Sequence, residues 1–226
     1  MKIFYERNLP HYQPLNGMFH VVFRLAGSLP LEAVKELQKE KEQAKSKITG
    51  IENIKMKYEA YYAHQTEYFE KFDMLLDKAS HGPTWLAQPA IAQLVAEALH
   101  KHDGKEYELF AFSVMSNHVH VVFQLLPVEE GSSLSPSAKR TKVRSTTSEY
   151  PVTDSLRLVK GATAHDANKM LARSGAFWQH ESYDHVIRNG VELERTIWYV
   201  LNNPVKAGLV DSWQQWRWTY VREGFV

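Results

Sequence analysis

Two apolar runs rich in β-branched and aromatic residues, Tyr107–Met115 and His118–Leu126, are separated only by Ser116-Asn117. Runs of this length and composition read as strands, and a two-residue connection can join only antiparallel neighbours. Any fold for the chain must therefore hold this hairpin. A further strand, MFHVVFRL over 18–25, lies between Asn16-Gly17 and Gly27-Ser28,.

The helical signals arrange themselves around these strands. Residues 31–79 are rich in Glu, Lys, Gln and Ala, with Gly50 the only glycine and no proline. This reads as one or two long helices, turning near Thr49-Gly50. Nine basic and ten acidic side chains over 31–80 suggest a surface arm, and its length suggests an insertion. Residues 89–100 form a shorter helix with Ile91, Leu94, Val95, Ala98 and Leu99 as its apolar stripe,. A helix over about 155–174, a strand in the second half of 177–188 and a helix over 191–202 complete the order. That last helix has Asn189 and Glu192 in capping-box spacing, with Pro204 as the expected stop,. The order predicts an α+β fold, one sheet with helices on one face. A single domain spans 1–226 in this reading, with the helical insertion at about 31–80. A flexible Ser/Thr-rich loop occupies about 131–153, where nine Ser or Thr fall between 131 and 148,.

Composition narrows the chemistry. The 226 residues carry a net charge of +1 and contain no cysteine, which excludes disulfides, thiolate metal sites and Cys nucleophiles,. A metal site must then use His, carboxylate, amide or water, and eleven histidines are available. No apolar run approaches the roughly 18 residues of a membrane helix. The start, MKIFYERNLPHYQP, carries charges and prolines where a signal peptide is apolar, so the expected location is the cytoplasm,. Charge is uneven: Lys139, Arg140, Lys142, Arg144, Arg157 and Lys160 face only Glu149 and Asp154 over 131–160. That segment can attract phosphate or can be a solvated basic loop.

Two features carry chemistry. In NHVHVVF over 117–123, strand alternation puts His118, His120 and Val122 on one face and Val119, Val121 and Phe123 on the other,. The imidazoles are then about 7 Å apart at the backbone and can converge on one cation, or serve as ordinary hydrogen-bonding residues. On the helix ERTIWYVLNNP, Leu193, Ile197, Val200 and Leu201 form the buried stripe,. Tyr199 and Asn203, four apart, share another side. A sheet face with two His and a helix with a Tyr and an amide are parts suited to breaking a phosphodiester. The metal would neutralise a phosphate oxygen and the tyrosine would attack phosphorus.

The pattern Met115–His120, Phe177-Trp178-Gln179, Tyr183–Arg188 and Tyr199–Gly208 closely resembles the HUH single-tyrosine transposases, most nearly the REP-associated tyrosine transposase branch. It covers about half the chain, and NNPVKAGLV after a helical Tyr is its most specific part. The resemblance implies a ferredoxin-like antiparallel sheet and His118 and His120 as metal ligands. It further implies Tyr199 as catalytic nucleophile and Asn203 as third ligand, with Mg²⁺ or Mn²⁺ as cation. The implied activity is cutting and rejoining of single-stranded DNA beside a hairpin through a 5′-phosphotyrosine. Ser116 stands where many relatives have proline, Asn203 where insertion-sequence members have Gln, and the segments 31–80 and 131–153 lack a fixed counterpart.

Other candidates have two readings each. Lys160, Arg188, Lys206, Arg140 and Lys142 can bind DNA phosphates or be solvated charges. His20 can approach the site from its own strand or sit in the core, and His180 and His185 can touch DNA or pack. Tyr183 competes as nucleophile, but it sits before a strand rather than on a helix with an amide one turn on. The tryptophans, Trp178, Trp213, Trp216 and Trp218 above all, can stack bases or pack. The expected partner is single-stranded or hairpin DNA, without a membrane, and the chain acts alone or as a homodimer. The rival functions are a catalytically silent hairpin-binding protein derived from a transposase and a zinc hydrolase of small molecules.

Overall fold

A computed structural model describes residues 4–6, 10–12, 16–126 and 150–225. The elements in chain order are β1 Phe4–Glu6, β2 Pro10–Tyr12, β3 Met18–Arg24, α1 Leu31–Thr49, α2 Ile54–Asp77, α3 Pro89–His102, β4 Tyr107–Val114 and β5 His118–Leu125. After these come α4 Pro151–Met170, β6 Tyr183–Ile187, α5 Gly190–Lys206 and β7 Thr219–Val221. Among the described residues no helix is long and apolar enough to cross a membrane.

The predicted hairpin forms with the expected turn. Val114 pairs with Val119, and the Met115 N–H donates to the His118 carbonyl at 2.9 Å, leaving Ser116-Asn117 as the tip. Around it runs a five-stranded antiparallel sheet in the order β6-β3-β5-β4-β7. Its first four strands have the ferredoxin-like arrangement, in which the first and third strands in sequence are central. The fold is α+β. The short β1–β2 ladder and β7 were not legible in the sequence because strands of three residues carry too little periodicity.

Helices cover both faces of the sheet, not one. On one face, α3 and α4 bury Phe19, Val21 and Phe23 of β3 with Val119, Val121 and Phe123 of β5. On the other, α5 packs Leu193, Ile197, Val200 and Leu201 against Ala111 and Val122. Beside it, α1 and α2 pack Leu37, Tyr68, Phe72 and Leu76 against Val22 and Tyr183. The segment 31–80 is thus a helical hairpin turning near Gly50, as predicted, but its inner end is part of the core. The one-face expectation fails because both faces of β3 and β5 are fully apolar or buried, so each needs cover.

Helix ends explain the other differences. Asn189 caps α5 as predicted, accepting from the Glu192 N–H at 2.9 Å,. Pro204 does not stop the helix, which continues to Lys206. The stop is Gly208 (φ +68), whose N–H reaches the Val205 carbonyl, while the Leu209 N–H reaches that of Pro204. This is a Schellman closure, and its left-handed position suits glycine. The helix over 155–174 starts earlier, at Pro151, and ends at Met170. Residues 150–153 of the expected Ser/Thr-rich loop therefore include a helix start, and the rest of that loop, with Arg140 and Lys142, lies outside the described residues.

Phe123, fully buried, stacks obliquely on Phe19 and Tyr107 at 6.1 and 4.8 Å between ring centres. Phe123→Ala should cost roughly 3–5 kcal/mol of stability, read as a shift in the urea midpoint with an unchanged slope.

Candidate active site

The sheet register assembles the site face. Val22 lies opposite His120, Arg24 opposite His118, and His20 opposite both Val122 and His185. In antiparallel pairs opposite residues share a face, so His20, His118, His120, Tyr183 and His185 all lie beneath α2 and α5. His118 and His120 are fully buried, and their Nε2 atoms approach to 2.9 Å.

Asn117 sets the orientation of the first imidazole. Its Nδ2 donates to the Leu76 carbonyl at 3.0 Å, so its Oδ1 is the face that accepts from His118 Nδ1 at 2.6 Å. His118 Nε2 is left without a proton, with its lone pair directed into the site. The His20 Nε2 lies 3.1 Å from His120 Nδ1, so one of these ring nitrogens donates to the other and the second ring is held as well. Partners of this kind fix ring orientation and ligand basicity in metal sites. Burial, with His120 nearby, pushes His118 down to about 3, and burial holds His20 well below its ordinary value. Both rings are therefore neutral near pH 7.

The third member came from the arm. Asp73, fully buried on α2, places Oδ1 3.2 Å from His120 Nε2 and 3.9 Å from His118 Nε2. Among the described residues, Asp73, His118 and His120 form one group whose potential ligand atoms all lie within 4.8 Å of one another. Burial opposes ionisation of Asp73, but His120, His118 and the Tyr199 hydroxyl outweigh it and hold the carboxyl well below its ordinary range. Oδ1 takes no well-formed hydrogen bond and Asn203 Oδ1, also buried, takes none. Two imidazoles, a carboxylate and an orphaned amide oxygen are a mixed nitrogen and oxygen donor set that fits a divalent cation.

Tyr199 and Lys206 of α5 close the group. The Tyr199 hydroxyl donates to Asp73 Oδ2. Lys206 Nζ lies 3.1 Å from the same oxygen, 3.0 Å from Asp77 Oδ2 and 3.2 Å from the Tyr199 oxygen. Asn203 Nδ2 also points at Asp73 Oδ2, at 3.4 Å. Burial and the Asp73 charge push the phenol well above its ordinary value, so it is protonated in this arrangement.

The sequence candidates divide. The structure brings His118, His120, Tyr199, Asn203, Lys206 and His20 together. Arg188 is exposed, its guanidinium 4.0 Å over the Tyr62 ring. Lys160 instead spends its ammonium on the Gln179 and His180 carbonyls and the Ser182 hydroxyl, at 2.7, 3.0 and 3.1 Å, so it braces a loop. Tyr183 is buried against Phe69 and forms a wall. Trp178 and Trp216 donate their indole N–H groups to Thr163 and to the Val114 carbonyl, so both pack. Asp73 was missed, although a signal existed: it sits in the apolar row Phe69, Phe72, Leu76 at helical spacing, where a solvated carboxylate does not belong,.

A comparison with protein-family models finds no match. A Haemophilus influenzae protein, whose name assigns it provisionally to the REP-associated tyrosine transposases, is 23% identical over 110 residues. The match takes in 49% of this chain and 56% of that protein, so it spans little more than half the relative's length. A solved structure of a REP-associated tyrosine transposase bound to a REP hairpin has a TM-score of 0.50 at 16% identity. It covers 95% of this chain and 80% of the other, a likeness of fold. Both of these proteins carry the name of the family that the sequence motifs resemble.

If the donor set binds a cation, Mn²⁺ at about 100 times its dissociation constant should add about 2.7 kcal/mol. The melting temperature of a chain this size then rises by roughly 5–10 °C. Asp73→Ala and His118→Ala should remove that rise, while Asn117→Ala should weaken Mn²⁺ affinity roughly 10- to 100-fold, measured by titration calorimetry.

Proposed function

We propose that the chain is a metal-dependent DNA endonuclease and strand transferase, a tyrosine transposase acting on single-stranded DNA at hairpin-associated sites. One observation carries this reading: the Tyr199 hydroxyl and two imidazole Nε2 atoms converge on the buried carboxylate of Asp73. The DNA-bound state of the structural neighbour supports hairpin DNA as substrate, and the sequence relative supports the transposase assignment.

In this reading His118, His120 and Asp73 hold Mg²⁺ or Mn²⁺, with Asn203 Oδ1 beside them as a further oxygen donor. The cation supplies neutralisation of a non-bridging phosphate oxygen. Asp73 aims the phenol by accepting its hydrogen bond, and this fixes the attacking oxygen before DNA arrives. Attack forms a bond from the tyrosyl oxygen to phosphorus and breaks the bond from phosphorus to the 3′-oxygen. The products are a 5′-phosphotyrosine and a free 3′-hydroxyl: the phenol gives up one proton and the departing 3′-oxygen takes one up from solvent, so the step neither gains nor loses protons overall. Lys206, 3.2 Å from the phenolic oxygen, places a positive charge where negative charge gathers as that proton departs,. Reversal by another 3′-hydroxyl rejoins the strand.

Stem–loop DNAs with single-stranded tails, labelled at either end, should give a covalent adduct with Mg²⁺ or Mn²⁺. Removing a covalent nucleophile costs on the order of 10⁶ in rate, so Tyr199→Phe should give no adduct while still binding. Lys206→Met should slow adduct formation roughly 10²- to 10³-fold. Salt-dependent binding without adduct under either metal would instead mark a silent hairpin-binding protein, and an activity indifferent to Tyr199→Phe would contradict the mechanism.

A further inference from the structure

A cavity of about 730 Å³ lies beside the site, between α2, β6 and the first turns of α5. This is within the range of small-molecule sites. Tyr199 and His20 line it, so the ring that carries the phenolic oxygen is one of its walls. Nothing in the cleavage chemistry uses it.

Its walls are aromatic. Tyr62 and Phe69 come from α2, and Tyr183 and His185 from β6. Phe69 lies between two rings, 4.8 Å from Tyr183 and 5.7 Å from Tyr199. One carboxylate fixes these walls to each other. Glu192 Oε1 accepts from the Tyr62 hydroxyl at 3.0 Å and pairs with His185 Nε2 at 2.8 Å, while Oε2 accepts the Arg188 N–H at 2.9 Å. Three elements are thus held around a preformed space, which lowers the ordering cost of binding. Two exposed arginines also line it, Arg188 with its guanidinium 4.0 Å over the Tyr62 ring and Arg195, together with the exposed Glu70.

We propose that this cavity receives an unpaired nucleotide of single-stranded DNA, the one adjoining the phosphodiester presented to Tyr199. The inference rests on the strand-transfer reading and deepens it. Aromatic faces stack on any base, and guanidinium groups meet backbone phosphates. A purely apolar ligand would have no use for the two arginines, and a base inside a duplex is paired and stacked and cannot enter. A phosphodiester presented to Tyr199 carries a nucleotide on either side, and this cavity lies beside that residue. The arm then serves two ends, Asp73 toward the cation and Tyr62 with Phe69 toward the neighbouring base.

The test uses stem–loop DNAs whose single-stranded tails carry 2-aminopurine at one position at a time, since stacking quenches that base. With the wild-type protein, one tail position next to the cleaved bond should be quenched. Tyr62→Ala, which removes a wall, and Thr66→Trp, which fills the cavity from the exposed face of α2, should both restore its fluorescence. An abasic site at that position should slow wild-type adduct formation roughly 5- to 150-fold, the equivalent of one stacked base. It should slow the Tyr62→Ala protein little beyond its own loss. No position-specific quenching, or equal quenching in all three proteins, overturns the pocket even where adduct forms. Quenching with no adduct in any protein leaves the pocket and overturns the strand-transfer reading. Absence of binding to every tailed stem–loop overturns both.

Discussion

The rest of the site depends on keeping one carboxylate charged inside the protein. Asp73 has no exposure, and an ionised carboxylate taken out of water is costly unless other groups compensate it,. Compensation comes from four directions: imidazole nitrogens from β5, the Tyr199 hydroxyl, the Lys206 ammonium and the Asn203 amide. Each compensating group sits where it does because of an element's geometry. The strand period puts two histidines on one face, and the helical period stacks Tyr199, Asn203 and Lys206 along one side of α5. Only a helix approaching from outside the sheet can lower a carboxylate between them. That requirement explains why α2 must dock its last turns firmly through Phe72, Leu76 and the Asn117–Leu76 hydrogen bond.

The same carboxylate joins two roles that look separate in the primary structure. It belongs to the nitrogen and oxygen donor group with His118 and His120, and it holds the phenol. The Tyr199 phenol, tied to a member of that donor group, cannot drift from it without breaking a buried contact. Packing rather than loop closure therefore sets the geometry, and the surrounding apolar clusters keep it,.

Much of this was legible in the residues. The hairpin, its turn at Ser116-Asn117, the shared face of His118 and His120 and the side of α5 bearing Tyr199 and Asn203 all follow from local periodicity, which acts over a few residues. Asp73 lies far from both motifs in sequence, on a segment whose evenly balanced charges read as solvent-facing. Its place in the apolar row Phe69, Phe72, Leu76 is the one local sign that sets it apart, and the packing of α2 makes that sign decisive. Lys160 failed as a phosphate contact for a related reason, since an isolated lysine in sequence gives no sign of the three oxygens that capture it. Pro204 misled about the end of α5 because a glycine in the left-handed region, four residues on, governs that end instead.

The most direct measurement is a crystal structure of the protein soaked or grown with Mn²⁺, with anomalous scattering recorded at the manganese edge. The account predicts a single strong anomalous peak bonded to His118, His120 and Asp73, with the Tyr199 oxygen still in the group around Asp73. A peak elsewhere, or a carboxylate of Asp73 turned away from the two imidazoles, would contradict it.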